Sequence, residues 1–122
     1  MPEFLAEVVI ERISFDFGVE FLANDGSVVR VEGEGSVAGH GVSQLTFDAE
    51  SASPVAAALL GFLHRKAVLS IDENTLELSV PDMGLALRVG PSAEYEAWSA
   101  VLADGSRLVC ADGGKVARWP AP

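Results

Sequence analysis

Two histidines, one cysteine and eighteen carboxylates are the groups with which this chain could do chemistry. A thiol becomes a nucleophile when a base stands beside it, so Cys110 with His40 or His64 is the pairing to weigh first. Cys110 lies in the apolar run Leu108-Val109-Cys110-Ala111, which reads as a buried strand and predicts an inert thiol. His40 sits between Gly39 and Gly41 in a loop, and His64 follows a helical stretch, where a positive ring suits the C-terminal dipole. Neither belongs to an H-x-x-x-H or C-x-x-H spacing, so a metal centre would have to draw its ligands from distant segments. Asp72-Glu73-Asn74 with Glu77 has a faint flavour of a calcium loop, but it lacks the central glycine and the glutamate at position twelve. Thr75 to Val80 reads as strand, which makes those acids a hairpin tip. The glycine cluster from Gly33 to Gly39 has the spacing G-x-G-x-x-x-G, one residue too long for the dinucleotide fingerprint. No helix opens after it, and Glu34 would repel a pyrophosphate. Ser43 and Ser70 lack a nucleophile elbow. No catalytic constellation, cofactor loop or metal set emerges, and the chain reads as non-enzymatic.

Charge is the next handle. The net charge is −10 and is unevenly spread: residues 1–50 carry ten acids against Arg12 and Arg30, whereas residues 51–122 carry eight acids against six bases. Such a chain is repelled by nucleic-acid backbones, which bind through Lys and Arg that displace counterions, and by anionic membrane surfaces. A basic protein partner is what this field can steer. The alternative is that acidity keeps an apolar small protein soluble. Hydrophobic residues make up 49% of the 122, too many for a disordered segment, and the length suits one domain, 1–122, with its own core. No apolar stretch approaches the roughly 18–20 residues of a membrane helix. A single cysteine excludes an intramolecular disulfide, and the first residues lack a basic, then apolar, leader; a cytoplasmic protein is expected.

The elements that must position these groups follow from periodicity. One hairpin pattern occurs twice. Phe15-Asp16-Phe17-Gly18-Val19-Glu20-Phe21 leads through Asp25-Gly26 to Val29-Arg30-Val31, and Ile71 to Leu78 leads through Asp82-Met83-Gly84 to Leu87-Arg88-Val89. The offset is 56 at Asp16/Asp72, 57 at Glu20/Glu77 and 58 at Gly26/Gly84 and Arg30/Arg88, which points to an internal duplication with two one-residue insertions. A shorter echo is Leu102 to Val109. The turns fall on Asp-Gly or Asp-x-Gly because glycine supplies positive φ without steric cost.

In Ile13 to Phe21 the odd positions Ile13, Phe15, Phe17, Val19 and Phe21 are apolar, the alternation of a half-buried strand or strand pair, with Gly18 a bulge or tight bend. Val28–Glu32 returns; Gly33 to Gly41 reads as loop; Val42–Phe47 is a strand. Ser53-Pro54 opens the one helix, about residues 54–63, with Ser53 as its cap and Gly61 as a left-handed stop. Its nearly all-apolar surface predicts a plug against the sheet. Strands resume at Ala67–Ile71, Thr75–Val80 and Leu85–Val89, with Leu76, Leu78 and Val80 opposing Leu85, Leu87 and Val89. Pro91 to Ala97 is a corner, and three short strands follow it. The expected fold is mainly β (α+β), with eight to ten strands in an antiparallel curled sheet or partly open barrel and one packed helix.

Leu59-Leu60-Gly61, Tyr95-Glu96-Ala97-Trp98, Gly113-Gly114 and Trp119 occur in an order that resembles a family of small, mostly actinobacterial, uncharacterised β-rich proteins. The resemblance covers the C-terminal half. It implies a bacterial source, with a helix ending in Leu-Leu-Gly followed by a strand pair, and carries no biochemical role.

Tyr95 and Trp98 have two readings: aromatics clamping a corner over the core, or an aromatic anchor between Glu94 and Glu96 at a protein interface, where Tyr and Trp dominate binding. The leading functional expectation is an acidic module that docks a basic protein, with a toxin-neutralising immunity protein as its most specific form. Its candidate residues are Glu20, Glu32, Glu34, Glu94, Tyr95 and Glu96. A small-ligand binder or ligand-dependent enzyme using a barrel mouth near His40 is the second expectation. A self-associating structural protein, pairing an open sheet edge into a homodimer, is the third.

Overall fold

The structure, a computed structural model, describes residues 2–39 and 42–122, with residues 42 and 43 described by backbone alone. His40, and with it the barrel-mouth site expected beside it, lies outside the described residues. Eleven strands form one antiparallel sheet: β1 (Phe4–Phe15), β2 (Val19–Ala23), β3 (Val28–Val31), β4 (Glu34–Gly39), β5 (Val42–Asp48), β6 (Lys66–Asp72), β7 (Thr75–Val80), β8 (Leu85–Val89), β9 (Trp98–Val101), β10 (Arg107–Cys110) and β11 (Val116–Trp119). Their order across the sheet is β11-β10-β9-β3-β2-β1-β6-β7-β8-β4-β5, and the sheet does not close into a barrel.

The long strand β1 joins two halves. Residues 4–9 pair with β6, and the register toward β2 slips between Ile10 and Arg12. A slip of this kind inserts an unpaired residue and bends the strand. The inward residues of both halves belong to a single buried cluster, among them Phe21, Val31, Leu69, Leu78, Leu87 and the fully buried Trp98.

The duplication expected from the sequence is present in the strand register. Across one half run the opposed residues Ser14, Glu20, Arg30 and Ser99; across the other run Ser70, Glu77, Arg88 and Ser36. The row beside it is apolar in both: Ile13, Phe21, Val29, Ala100 and Leu69, Leu78, Leu87, Val37. Thus β1-β2-β3-β9 and β6-β7-β8-β4 are counterparts. Leu76, Leu78 and Val80 oppose Val89, Leu87 and Leu85, as a hairpin requires.

Several sequence expectations are corrected. Among the described residues the strands number eleven, above the expected eight to ten. The alternation from Ile13 to Phe21 is broken by a turn: Phe17 has φ 57° and is exposed, so Phe15 and Phe17 do not share the buried face of Val19 and Phe21. The segment from Gly33 is not all loop, because 34–39 form β4 between β8 and β5. Gly35 lies where a Cβ would come 3.0 Å from the Phe47 ring, so its glycine serves close packing.

The helix is also shorter than expected. α1 covers Ala56–Leu60, preceded by a 3₁₀ turn that contains Ser53 and Pro54, and Ser53 makes no capping bond. Gly61 is right-handed at φ −61°; the left-handed residue is His64, at φ 61°. Leu59 and Phe62 are fully buried, and the Phe62 ring meets Phe21 edge-on at 5.8 Å. Burial of two such side chains stabilises by about 1.5–3 kcal/mol each. Ala57 and Leu60 face out, so the plug is one-sided. The chain leaves it alongside Ile10, whose carbonyl accepts the His64 N–H at 2.7 Å.

Candidate functional site

The chain crosses between the two halves by a two-residue link from β3 to β4, Glu32-Gly33, and returns by the segment 90–97 between β8 and β9. These crossings lie side by side. The Ala97 carbonyl accepts the N–H of Glu32 at 2.9 Å and of Gly33 at 3.3 Å, and the Gly33 carbonyl accepts the Ala49 N–H at 2.9 Å. Backbone bonds therefore bring the end of β3, the end of β5 and the corner before β9 to one place.

Tyr95 stands on that junction, 49% exposed. Its ring covers Gly33, where a Cβ would lie 3.1 Å from Cε2; the close approach of ring to backbone explains the glycine. On one side of the ring is a groove of about 440 Å³ lined by Glu32, Asp48, Glu50, Tyr95 and Glu96. On the other is a groove of about 430 Å³ whose lining includes Glu34, Ser36, Gln44, Thr46 and Arg88. Four carboxylates and a phenol thus face the first groove, with no basic residue among the described residues of its lining.

The carboxylates differ in how far they are committed. Glu32 accepts from the Arg30 guanidinium, and Asp48 accepts the Glu50 N–H at 3.0 Å as a cap of the short turn after β5. Among the described residues, no ion pair is made by Glu34, Glu50, Glu94 or Glu96. Their charge is open to a partner.

Of the six residues expected from the sequence, Glu32, Tyr95 and Glu96 meet in the first groove, and Glu34 lines the second across the Tyr95 ring. Glu94 is exposed but lines neither. Glu20 stands apart on β2, 3.9 Å from Arg30, which also holds Asp16 and Glu32. Asp48 and Glu50 were not singled out from the sequence; the signal was present as a second acidic pair at the end of a strand. Trp98, the other ambiguous aromatic, is core, and Tyr95 is surface.

Among the described residues, the groups considered for catalysis are dispersed. Cys110 is fully buried and its Sγ lies 3.6 Å from the Asn74 carbonyl. Burial, with the nearby charge of Glu96 adding to it, pushes its thiol up, away from the thiolate a nucleophile needs. His64 is exposed at the exit of α1. Among the described residues no three His, Cys, Asp or Glu side chains are grouped so as to hold a metal ion. Asp72 and Glu73 sit at the β6–β7 turn, as expected of a hairpin tip. No helix among the described residues is long and apolar enough to cross a membrane.

Neither the curated proteins nor the solved structures contain a match to this chain. Residues 1–120 match DUF6188, a family of unknown function, and the chain belongs to that family.

Proposed function

We propose that this protein is a non-enzymatic acidic module that docks a basic protein partner through the grooves on either side of Tyr95. The observation that carries this reading is the groove in which Glu32, Asp48, Glu50 and Glu96 converge on a half-exposed tyrosine, with no basic residue among the described residues of the lining. Exposed ion pairs contribute only about 0–1 kcal/mol each, so charge alone cannot hold a partner. A clustered field raises the association rate by roughly 10–10³-fold at low salt, and an aromatic anchor sets the dissociation rate. Tyr95 among free carboxylates supplies both ingredients. A toxin-neutralising role is the most specific form of the proposal: an acidic face of this kind can occlude a cationic active site that grips an anionic substrate.

The test is a pull-down from the source organism with two baits, wild type and the triple variant Glu34→Lys, Glu50→Lys, Glu96→Lys. Among the described residues these three acids make no ion pair, so reversing them leaves the Arg30 network intact. A basic protein retained by wild type and lost by the variant supports the proposal. Identical recovery by both baits, or recovery of no specific protein by wild type, overturns it.

A further inference from the structure

The two repeats part company at one turn. Both enter it through an aspartate and a left-handed residue, Asp16-Phe17 between β1 and β2 and Asp72-Glu73 between β6 and β7, with φ 57° at Phe17 and 55° at Glu73. Glu73 is a side chain that water solvates. Phe17 places a phenyl ring in solvent, 86% exposed, on a backbone conformation that bulky side chains disfavour. Phe15, at the end of β1, adds a second partly exposed ring. The Phe17 ring is not what the left-handed position requires, because the counterpart hairpin, with a turn of different length, places a glutamate at its own left-handed position.

The tip borders a groove of about 350 Å³ whose lining includes Phe15, Phe17, Ala49 and Ala52, with Asp16 and Glu50 as its acids. Glu50 also lines the Tyr95 groove, so the apolar tip and the acidic groove form one continuous surface. Among the described residues no basic side chain lines either depression.

We infer that the Phe17 tip is the apolar anchor of the proposed interface, and that its occupant is a protein segment in which an apolar side chain is flanked by Lys or Arg. The apolar side chain packs on Phe17 and Phe15 over Ala49 and Ala52, and the cations meet Glu50 and continue toward Glu96, Asp16 being already paired with Arg30 at 3.1 Å. Charge decides against a second copy of this chain, since a symmetric contact here sets Asp16 and Glu50 against their own kind on a molecule of net charge −10. Energy concentrated in a few buried aromatics inside a polar rim is the usual anatomy of an interface hot spot.

This inference rests on the acidic-docking reading, and the test separates the two. Two fluorescent synthetic peptides of equal charge and length, one alternating lysine with leucine and the other lysine with serine, are titrated into the whole protein and followed by anisotropy. Wild type binds the lysine–leucine peptide at least tenfold more tightly. Phe17→Asn, which suits the left-handed backbone, removes that preference and leaves the melting temperature unchanged or raised by a few degrees. Glu50→Lys with Glu96→Lys weakens both peptides. Equal binding of the two peptides by wild type overturns the anchor and leaves acidic docking standing, whereas binding of neither overturns both. A Phe17→Asn variant that melts several degrees lower makes the ring a structural element, and one that dissociates a wild-type dimer makes the tip a self-association face; either result overturns the anchor.

Discussion

The indole N–H of Trp98 donates to the backbone carbonyl of Asn74 at 2.9 Å, joining β9 in one half of the sheet to the β6–β7 turn in the other. The Sγ of Cys110 lies 3.6 Å from the same oxygen. Trp98 is fully buried, so replacing it with Phe removes a donor and part of a packed ring together. A part-buried acceptor that keeps only the weak thiol donor loses about 1 kcal/mol, and the void left by the smaller ring adds to it. Trp98→Phe is expected to lose at least about 2 kcal/mol in urea denaturation, with an unchanged m-value.

Cys110 predicts a pH dependence. Burial raises its thiol pKa in the folded state, so the native protein keeps this proton at pH values where the unfolded chain, near the ordinary value of about 8.5, has released it. The corresponding stability is complete below that pH and is lost as pH rises toward the folded-state value. Cys110→Ala should therefore show a shallower loss of stability than wild type above about pH 8.5. In the native state, labelling by a thiol reagent should wait on unfolding; rapid labelling at neutral pH would sink the assignment.

The repeat offers an internal comparison between Arg30 and Arg88, which occupy matching positions opposite Glu20 and Glu77. The Arg30 side chain is 25% exposed, bonds Glu32 and the Asp16 carbonyl, and pairs with Asp16; that of Arg88 is 65% exposed and pairs with Glu77 at 3.6 Å. Gly18 leaves room for this arrangement, since a Cβ there would meet Arg30 Nη2 at 2.8 Å. Arg30→Met should cost about 1–2 kcal/mol because it strands a half-buried Glu32. Arg88→Met should stay within about 0.5 kcal/mol. Equal losses in thermal denaturation would contradict the difference.

At the far edge of the sheet, Arg118 on β11 makes two hydrogen bonds to Glu3, just before β1. Those bonds hold the Glu3 carboxyl below its ordinary range. The pair's contribution is present above the unfolded carboxyl value of about 4.3 and is lost as pH falls through the lower folded value. Glu3→Gln should cost no more than about 1 kcal/mol at pH 7, and the difference from wild type should shrink in acid and at high salt. A cost that persists in acid would show that something other than the ion pair is at stake.

The duplication was legible because each copy preserves its aspartates, turn glycine and Glu/Arg pair at nearly constant offset, and cross-strand register turns that spacing into contact. Strand identity was legible where alternation ran uninterrupted, as in Leu76 to Val89. It failed at Phe15-Asp16-Phe17 because a turn with φ > 0 at a phenylalanine breaks the usual residue preference, and period-two spacing carries no sign of which residues turn. The β4 strand was hidden by its glycines, of which Gly35 answers to the Phe47 ring, distant in the chain. The short helix reflects tertiary context overriding alanine's propensity. At the site, the sequence singled out Glu32, Tyr95 and Glu96, whereas their convergence with Asp48 and Glu50 depends on crossings between sheet halves that no local pattern encodes.

Tyr95 separates fold from function most sharply. It is half exposed and its ring rests on Gly33, so truncation to Ala removes little buried area and should lower stability by no more than about 1 kcal/mol. At an interface the same truncation of an aromatic anchor costs about 2 kcal/mol or more, which corresponds to a dissociation rate roughly 30-fold faster. Glu34→Lys, Glu50→Lys and Glu96→Lys should act on the other rate, slowing association and flattening its salt dependence. Gly33→Ala provides a third arm, because its Cβ pushes the ring without changing any charge. Surface plasmon resonance with the basic partner recovered by wild type should therefore show faster dissociation for Tyr95→Ala and Gly33→Ala, and slower association for the charge reversals. A Tyr95→Ala variant that keeps its dissociation rate while melting several degrees lower would return this residue to the core.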